Sequence, residues 1–351
     1  MTQFSAVELC AGGGGQAIGL EMAGFHHEAV VEYEEKYCAT LSANRPSWNV
    51  IHQDIREFQT ERYEGIDLLA AGVPCPPFSV AGKQLGSDDD RDMFPTALSI
   101  VSRLKPRAVL LENVPGLASE KFVEYRMTLL RQLNRLGYET WADTIQSSWF
   151  GVPQLRPRFL IVALKPREAG FFRWPQGNTP PSTVGQTLLK LMAANGWPGA
   201  AQWAKRANRI APTVVGGSKK HGGPDLGPTR AKAQWRELSV DGMGIADAAP
   251  GFDFPIDGFP KLTVPMVAKI QSFPDEWRFN GGKTAAYRQV GNAFPPLAAR
   301  AFGIALRAAL ARQLPPEYTE ESRSFQSVLM EDSPLAKKPP KKRKSNSAKT
   351  P

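Results

Sequence analysis

The sequence predicts an α/β protein with a doubly wound, mostly parallel sheet and a second, smaller loop-rich part. Over the first 165 residues, short apolar runs alternate with amphipathic segments. The runs are apolar enough to be covered on both faces, as the strands of a parallel sheet are. Near residue 166 this alternation stops, and Pro, Gly, Trp and polar residues with little periodicity continue to about residue 260.

The predicted elements follow the order strand, helix, strand. The strand candidates are 5–11, 28–33, 49–54, 66–72, 108–114 and 158–164. The helix candidates among them are 15–24, 35–45, 94–105 and 122–137. Helical spacing returns in 262–274 and again in 295–313. Pro295 and Pro296 suit the first turn of that last helix.

These boundaries predict a discontinuous main domain. It comprises 1–165 and 261–315, with the C-terminal helix packing back on it, while 166–260 form the smaller domain. Residues 316–351 are Pro-, Lys- and Ser-rich at their end, and we expect a disordered basic tail.

The composition limits the class of protein. Hydrophobic residues make up 42% and charged residues 22% of the 351, as in ordinary globular proteins. No apolar window approaches the roughly 20 residues that span a bilayer, and no signal peptide is evident. The three cysteines have neither paired nor metal-ligand spacing. We expect a cytoplasmic protein with neither a disulfide framework nor a metal.

The net charge of +9 is concentrated at one end. Residues 334–351 hold six Lys, one Arg and no acid, so only +2 belongs to the rest of the chain. The overall charge is therefore weak evidence for nucleic-acid binding by the folded part. The run "PPKKRK" is typical of a nuclear-localisation signal in a eukaryotic host or a non-specific DNA-binding patch, and a solubilising tail is the alternative.

A glycine-rich turn follows the first strand, in "ELCAGGGG". Gly12 to Gly15 allow a ligand close to the backbone at a helix N-terminus. The spacing is not that of dinucleotide binders and no Walker lysine follows, so any nucleotide-type cofactor or a mere tight turn is compatible. Glu32 and Asp54, at later strand ends, could bind a ribose and an adenine amino group, or could simply be solvated.

Three further polar groups stand at strand ends. Cys75 lies on a proline-stiffened turn after the fourth strand, in "GVPCPPFSVAGKQ", which favours a presented thiol over inert packing. Glu112 ends the apolar fifth strand, where burial would tend to keep it protonated. Arg156 and Arg158 stand two apart at the start of a strand, hence on one face, and suit an anionic or carbonyl-rich ligand or a surface ion pair.

Taken in order, these blocks resemble the cytosine-C5 DNA methyltransferase family over roughly residues 5–312. The matching blocks are "ELCAGGGG", "EYEE", "QDI", "GVPCPPFSVAGKQ", "ENVPGL", "QLRPR", "LTVPMVAKIQSFPDEW" and "AYRQVGNAFPP". The resemblance implies the S-adenosylmethionine-dependent methyltransferase fold. It also implies a monomeric enzyme that acts on double-stranded DNA. The compact form resembles modification enzymes paired with a restriction nuclease, without direct contact between the two, and a solitary methyltransferase has the same sequence pattern.

The resemblance assigns roles to individual residues. Cys75 would be the nucleophile that adds to C6 of a flipped-out cytosine. Glu112 would hydrogen-bond or protonate N3, and Arg158 would hold O2 and support Glu112, with help from Arg156. The pocket for S-adenosyl-L-methionine would be formed by Cys10, Gly12, Gly14, Gly15, Glu32, Asp54, Pro74 and Asn292. Cys10 departs from the family, many of whose members carry an aromatic residue there.

Residues 166–260 would be the target-recognition domain. DNA contacts are expected from Ser79, Lys83, Gln84, Lys219, Lys220, His221, Arg230 and Arg236. Several of these could instead be merely solvated, and the target sequence is not encoded in any transferable pattern.

Two other functions fit parts of this pattern. The RNA-directed branch of the family methylates transfer RNA, but the long recognition region and the absence of that branch's Cys-Phe-Thr signature oppose it. A catalytically silent DNA-binding paralogue would need a hidden defect, because Cys75, Glu112, Arg156 and Arg158 are all present.

Overall fold

The computed structural model describes residues 3–74, 92–216 and 223–315. Its strands are β1 Phe4–Leu9, β2 Phe25–Glu32, β3 Val50–His52, β4 Leu68–Gly72, β5 Ala108–Asn113, β6 Glu139–Gln146 and β7 Pro157–Leu164. They form one sheet in the order β3-β2-β1-β4-β5-β7-β6. Strands β1 to β5 pair in parallel, and β7 runs antiparallel to both β5 and β6. The predicted mostly parallel, doubly wound sheet is confirmed.

The helices follow the strands in the expected alternation. They are α1 Gly15–Met22, α2 Glu35–Asn44, α3 Phe94–Leu104, α4 Val123–Arg135, α5 Pro166–Ala169, α6 Val184–Met192, α7 Ala200–Arg206, α8 Thr229–Glu237, α9 Val264–Ile270, α10 Lys283–Asn292 and α11 Pro296–Leu310. Helix α11 begins at the predicted proline pair. None of the helices in the described parts of the chain is long and apolar enough to cross a membrane.

Helices cover the sheet on both faces. On one face, Val7 and Leu9 of β1 share an apolar cluster with Leu98 of α3 and Leu129 of α4. On the other face, the small residues of β1 and β4 pack with α1 and α11. This double coverage explains why the central strands read as nearly continuous apolar runs.

Helices α1 and α11 approach each other with no room for side chains between them. A Cβ added to Gly19 of α1 would lie 2.4 Å from the carbonyl oxygen of Pro296 and 2.5 Å from Cβ of Ala299. A Cβ added to Gly303 of α11 would lie 2.6 Å from Cβ of Ala23. The two glycines therefore set the distance between the helices, and this distance fixes the position of α1 on the sheet.

The region 166–260 is more regular than its sequence predicts. Helices α6, α7 and α8 lie there, and their residues Trp203 and Trp235 are fully buried in a third apolar cluster. The cluster also contains Met266 of α9 and Tyr287 of α10. A capping box formed by Thr183 and Gln186 marks the start of α6, and its Thr-x-x-Gln pattern in the sequence could have predicted this helix.

Six of the seven strands coincide with predicted runs, and β6 does not. Its sequence, ETWADTIQ, is polar, and most of its residues are only partly buried. It forms one edge of the sheet, where a strand needs no apolar alternation. Its pairing with β7 is what identifies it as a strand.

Substitution of Gly19 tests the close approach of α1 and α11. We expect Gly19→Ala to lower the free energy of unfolding by about 1–3 kcal/mol, because its methyl group overlaps backbone atoms of α11. Gly170→Ala is the matched control, since a Cβ there meets no atom within 4 Å. Urea denaturation measures both. Equal stabilities for the two variants would contradict the packing described here.

Candidate active site

The carboxyl ends of the parallel strands and the start of β7 meet at one edge of the sheet. In the β5–β7 pair, Glu112 stands opposite Leu160 and Asn113 opposite Phe159. Because β7 is antiparallel to β5, its first residues lie beside the last residues of β5. Open α/β sheets bind their ligands at this edge.

A buried ion pair joins the two strands there. Nε of Arg158 lies 2.7 Å from Oε1 of Glu112, and only 8% and 11% of the two side chains are exposed. Nη1 of Arg158 also donates to the carbonyl oxygen of Pro157 at 2.7 Å. The other carboxylate oxygen of Glu112, Oε2, lies near Gly72, whose added Cβ would be 3.8 Å away. The carboxyl group therefore extends over β4, the strand that leads to Cys75.

The surroundings of Glu112 favour its protonated form more than water does. Burial raises the pKa of its carboxyl group, and the charges of Arg158 and Arg156 oppose that rise. Burial lowers the pKa of Arg158, and the Glu112 carboxylate opposes that shift. A guanidinium nevertheless remains charged at any physiological pH. Glu112 is thus a buried acid with a raised pKa beside a fixed cation.

Glu8 is a second buried acid that the sequence analysis did not assign. It lies in β1, on the same face of the sheet as Glu112, because Glu8 pairs with Ala70 and Gly72 pairs with Glu112. It is fully buried, and neither carboxylate oxygen has a hydrogen-bond partner among the residues that the structure describes. Burial, and to a smaller extent the charge of Glu112, raises its pKa well above the ordinary range. The sequence feature that could have identified Glu8 is an acidic residue in the middle of an apolar strand.

Arg156 has a different environment from Arg158. It precedes β7 and is 1% exposed. Its Nη1 donates to the carbonyl oxygen of Val214 at 2.6 Å, and its Nη2 donates to those of Gly291 and Ala293 at 2.7 and 2.9 Å. The two arginines are therefore close in sequence but bind different partners: Arg158 binds the Glu112 carboxylate, and Arg156 binds backbone carbonyl oxygens. The predicted assistance of Arg156 at the cytosine remains a prediction.

The turn that carries the predicted nucleophile is only partly described. Asn113 Nδ2 donates to the carbonyl oxygen of Val73 at 3.2 Å, which ties the end of β5 to the chain just before Pro74. Pro74 is the last described residue there, and it is exposed. The following predicted residues lie outside the described part of the chain: Cys75, Ser79, Lys83, Gln84, Lys219, Lys220 and His221.

The Glu32 carboxylate stabilises the glycine turn by hydrogen bonds to backbone N–H groups. Its Oε2 accepts from the backbone N–H of Gly12 at 2.7 Å, and its Oε1 accepts from that of Glu34 at 2.8 Å. Burial raises the pKa of Glu32, and these hydrogen bonds oppose the rise. Gly12 and Gly14 have φ values of 58° and 88°, which favour glycine.

The turn fits a cofactor that needs close approach to the backbone. A Cβ on Gly12 would meet no atom of the described residues within 4 Å, so none of them fills that side. Gly14 caps α1 without a side-chain hydrogen bond, so the first N–H groups of α1 have no side-chain cap. The end of α10 packs behind the turn, since a Cβ on Gly15 would lie 2.2 Å from the carbonyl oxygen of Phe294. Phe294 lies two residues after Asn292, the last residue of α10.

The remaining candidates differ in their surroundings. Cys10 is a free, partly buried thiol whose pKa is raised by burial. The Asp54 carboxylate binds Arg56, with Nη2 2.6 Å from Oδ2, and these hydrogen bonds lower its pKa. Its predicted contact with an adenine would therefore compete with Arg56. Arg230 and Arg236 are exposed on α8, and Arg236 stacks on the ring of Phe259 at 5.2 Å.

A covered parallel sheet with a glycine turn and a buried acid–arginine pair at its carboxyl edge is typical of α/β enzymes with ligands at that edge. The model of the C-5 cytosine-specific DNA methylase family matches residues 4–307 of this chain. The chain therefore belongs to that family and is a DNA (cytosine-5-)-methyltransferase. Its reaction takes a methyl group from a donor cofactor to DNA.

Individual relatives agree with this assignment. Type II methyltransferase M.NaeI of Lentzea aerocolonigenes is 54% identical over 316 residues, covering 88% of this chain and 76% of that protein. Type II methyltransferase M.NgoMIV of Neisseria gonorrhoeae is 49% identical over 314 residues, covering 89% and 99%.

Solved structures share the fold at lower identity. A prophage-encoded DNA modification methyltransferase from E. coli matches with a TM-score of 0.60 at 20% identity, over 88% of this chain and 99% of that one. A DNMT2 variant from Spodoptera frugiperda matches with a TM-score of 0.61 at 17% identity, over 87% and 99%. These two likenesses concern the fold alone.

The pH dependence of stability tests the buried state of Glu8. Its raised folded pKa means that the native state keeps a proton which the unfolded chain loses above about pH 4.3. Stability should then fall by up to about 1.4 kcal/mol per pH unit as pH rises above that value, until the folded pKa is reached. Glu8→Gln, which cannot ionise, should show a flatter profile between pH 5.5 and 8.

Urea denaturation at several pH values measures this difference. Glu139→Gln, at an exposed position on the edge strand β6, is the matched control and should keep the wild-type slope. A Glu8→Gln profile parallel to that of the wild type would show that Glu8 is ionised in the folded protein.

Proposed function

We propose that this chain transfers a methyl group from S-adenosyl-L-methionine to C5 of a cytosine flipped out of double-stranded DNA. The cytosine would lie in one specific sequence, and the enzyme would serve a type II restriction-modification system. The observation that carries this proposal is the buried Glu112–Arg158 pair, which extends over the strand that leads to Cys75. The names of the two type II relatives support the restriction-modification setting.

The chemistry requires a nucleophile because C5 of cytosine is too electron-poor to attack a methyl donor unaided. The Cys75 thiolate adds to C6, and the electrons of the C5–C6 bond become available at C5. C6 is stacked inside a duplex, so the base must leave the helix first. When bound, S-adenosyl-L-methionine supplies an electrophilic methyl group.

Glu112 and Arg158 manage the charge that this addition creates. The Glu112 carboxyl group protonates N3 of the ring as the Cys75 thiolate adds, and burial shifts its pKa in the direction that favours this role. The Arg158 guanidinium stabilises the negative charge that develops on O2, inside a site that excludes water. After transfer, a water molecule takes the C5 proton, the electrons of that bond re-form the C5–C6 double bond and expel the Cys75 thiolate, and N3 returns its proton to Glu112.

The cofactor would be held by the groups around the glycine turn. The open side of Gly12 and the N-terminus of α1 suit the polar end of the molecule. Glu32 would accept from the ribose hydroxyls beside the N–H groups that it already binds. Asn292 at the end of α10 would close the pocket. Cys10, Gly14, Gly15, Asp54 and Pro74 complete the proposed set.

Sequence recognition would come from residues 166–260. Arg230 and Arg236 on α8 are exposed and oriented by a short helix, and they suit phosphate or guanine contacts. The predicted groove-reading residues Lys219, Lys220 and His221 would act with them, and Ser79, Lys83 and Gln84 would contact the target strand.

Replacement of Cys75 tests the proposed covalent step. We expect Cys75→Ala to abolish transfer of labelled methyl groups to duplex DNA, because no thiolate adds to C6, while DNA binding in a gel shift survives. The wild type should form a stable adduct with a duplex that contains 5-fluorocytosine at the target, in the presence of S-adenosyl-L-methionine. Cys75→Ala should form none.

Two controls define what would overturn the proposal. Cys38→Ala removes a buried thiol of α2 and should keep adduct formation. Transfer RNA should accept no label under conditions in which duplex DNA does. Retained methylation in Cys75→Ala would refute the nucleophile, and labelling of transfer RNA alone would refute the DNA substrate.

A further inference from the structure

Residues 214–216, in the region that we propose recognises DNA, touch the end of α10 directly. A Cβ added to Gly216 would lie 2.2 Å from Oδ1 of Asn292 and 2.8 Å from its backbone nitrogen. A Cβ added to Gly291 would lie 2.3 Å from the Cα of Gly216. The two backbones are therefore in contact without intervening side chains. Any side chain at position 216 would displace Asn292.

Buried hydrogen bonds lock this contact. The Arg156 guanidinium binds the carbonyl oxygen of Val214 on one side and those of Gly291 and Ala293 on the other. The last carbonyls of a helix lack intrahelical partners and carry partial negative charge, so a cation is favourable there. This accounts for a fully buried arginine that has no carboxylate bound to it at hydrogen-bonding distance among the described residues.

Two glutamines reinforce the same link. The Gln154 Oε1 accepts from the backbone N–H of Val214 at 2.7 Å, and its Nε2 donates to Oε1 of Gln271 at 2.8 Å. Nε2 of Gln271 in turn donates to the carbonyl oxygen of Val290 at 2.7 Å. All of these groups are buried, so breaking one bond leaves an unsatisfied partner.

Helix α10 also holds the chain further along. The Tyr287 hydroxyl donates to the carbonyl oxygen of Asp225 at 2.6 Å and lies 3.0 Å from that of Val215. Both flanks of residues 217–222 are therefore attached to one helix. On its opposite side the same helix contacts the glycine turn, since a Cβ on Gly13 would lie 3.0 Å from Cβ of Gln289.

We infer that residues 214–216 position Asn292, so that the affinity of the enzyme for its cofactor depends on the recognition region even without DNA. The inference rests on the proposed function, under which Asn292 binds S-adenosyl-L-methionine. Gly216 and Tyr287 are positioning residues in this account, because they act through α10. If DNA binding shifts this segment, it changes the affinity for the cofactor. By thermodynamic linkage, the cofactor then changes the affinity for DNA by the same factor.

A pair of glycine substitutions tests the inference. Gly216→Ala should raise the dissociation constant for S-adenosyl-L-methionine about tenfold in the absence of DNA, because the new methyl group moves Asn292. Gly223→Ala is the matched control on the other flank, where a Cβ meets no atom within 4 Å. It should bind the cofactor as the wild type does. Isothermal titration calorimetry measures all three proteins.

Steady-state kinetics separate positioning from general damage. With saturating DNA, Gly216→Ala should show a raised KM for S-adenosyl-L-methionine and a kcat within about twofold of the wild type. Should Gly216→Ala fail to unfold cooperatively, Tyr287→Phe replaces it, since that variant removes only a hydroxyl group. It should raise the same KM about threefold.

The outcomes distinguish the inference from the proposed function. A cooperatively folded Gly216→Ala protein that binds the cofactor as tightly as the wild type refutes the inference and leaves the proposed function intact. An unchanged KM in Tyr287→Phe, where that variant is needed, has the same meaning. Failure of the wild type to bind S-adenosyl-L-methionine refutes the proposed function itself.

Discussion

The antiparallel register of β5 and β7 is the constraint on which the candidate active site depends. It sets Glu112 opposite Leu160, and so places Arg158 at the height of the Glu112 carboxyl group. A parallel β7 would carry Arg158 at the opposite edge of the sheet. A shift of one residue would turn its side chain to the other face. Removing one partner of such a buried pair typically destabilises a protein by about 3–5 kcal/mol, so the register and the pair support each other.

The same edge shows three ways of burying an ionisable group. Arg158 and Glu112 neutralise each other across a strand pair. Arg156 is stabilised by carbonyl oxygens of Val214 and of the end of α10, and so connects the start of β7 with both. Glu8 has no partner among the described atoms, and its raised pKa favours the neutral form. The three residues therefore differ in chemical state. Glu112 is an acid paired with a cation, Arg156 is a fixed cation, and Glu8 favours the neutral carboxyl form.

Residues at strand ends could be predicted from the sequence, since parallel strands bring their carboxyl ends to one edge. Glu32, Glu112 and the glycine turn were found in this way, and the family resemblance assigned their roles. Strand β6 was missed because an edge strand needs no apolar pattern. Helices α6 to α8 were missed because short helices in Pro- and Gly-rich sequence show little periodicity.

Contacts between distant parts of the chain could not be predicted. Arg156 reaches carbonyl groups 58, 135 and 137 residues away, and nothing local indicates them. The closeness of Gly216 to Asn292 arises from how residues 214–216 pack on α10. Backbone carbonyls as partners have no sequence signature, because every residue has one. The contact between residues 214–216 and the end of α10 therefore emerged only from the structure.

Bisulfite sequencing of DNA from cells that express this chain or its Glu112→Gln variant tests the central claim most directly, because it reports activity and target together. The account predicts cytosines protected from conversion in one sequence context for the wild type. It predicts no protection for Glu112→Gln, which keeps the shape of the side chain but has no acidic proton to give to N3. Uniform conversion with the wild type, or equal protection with both proteins, would contradict it.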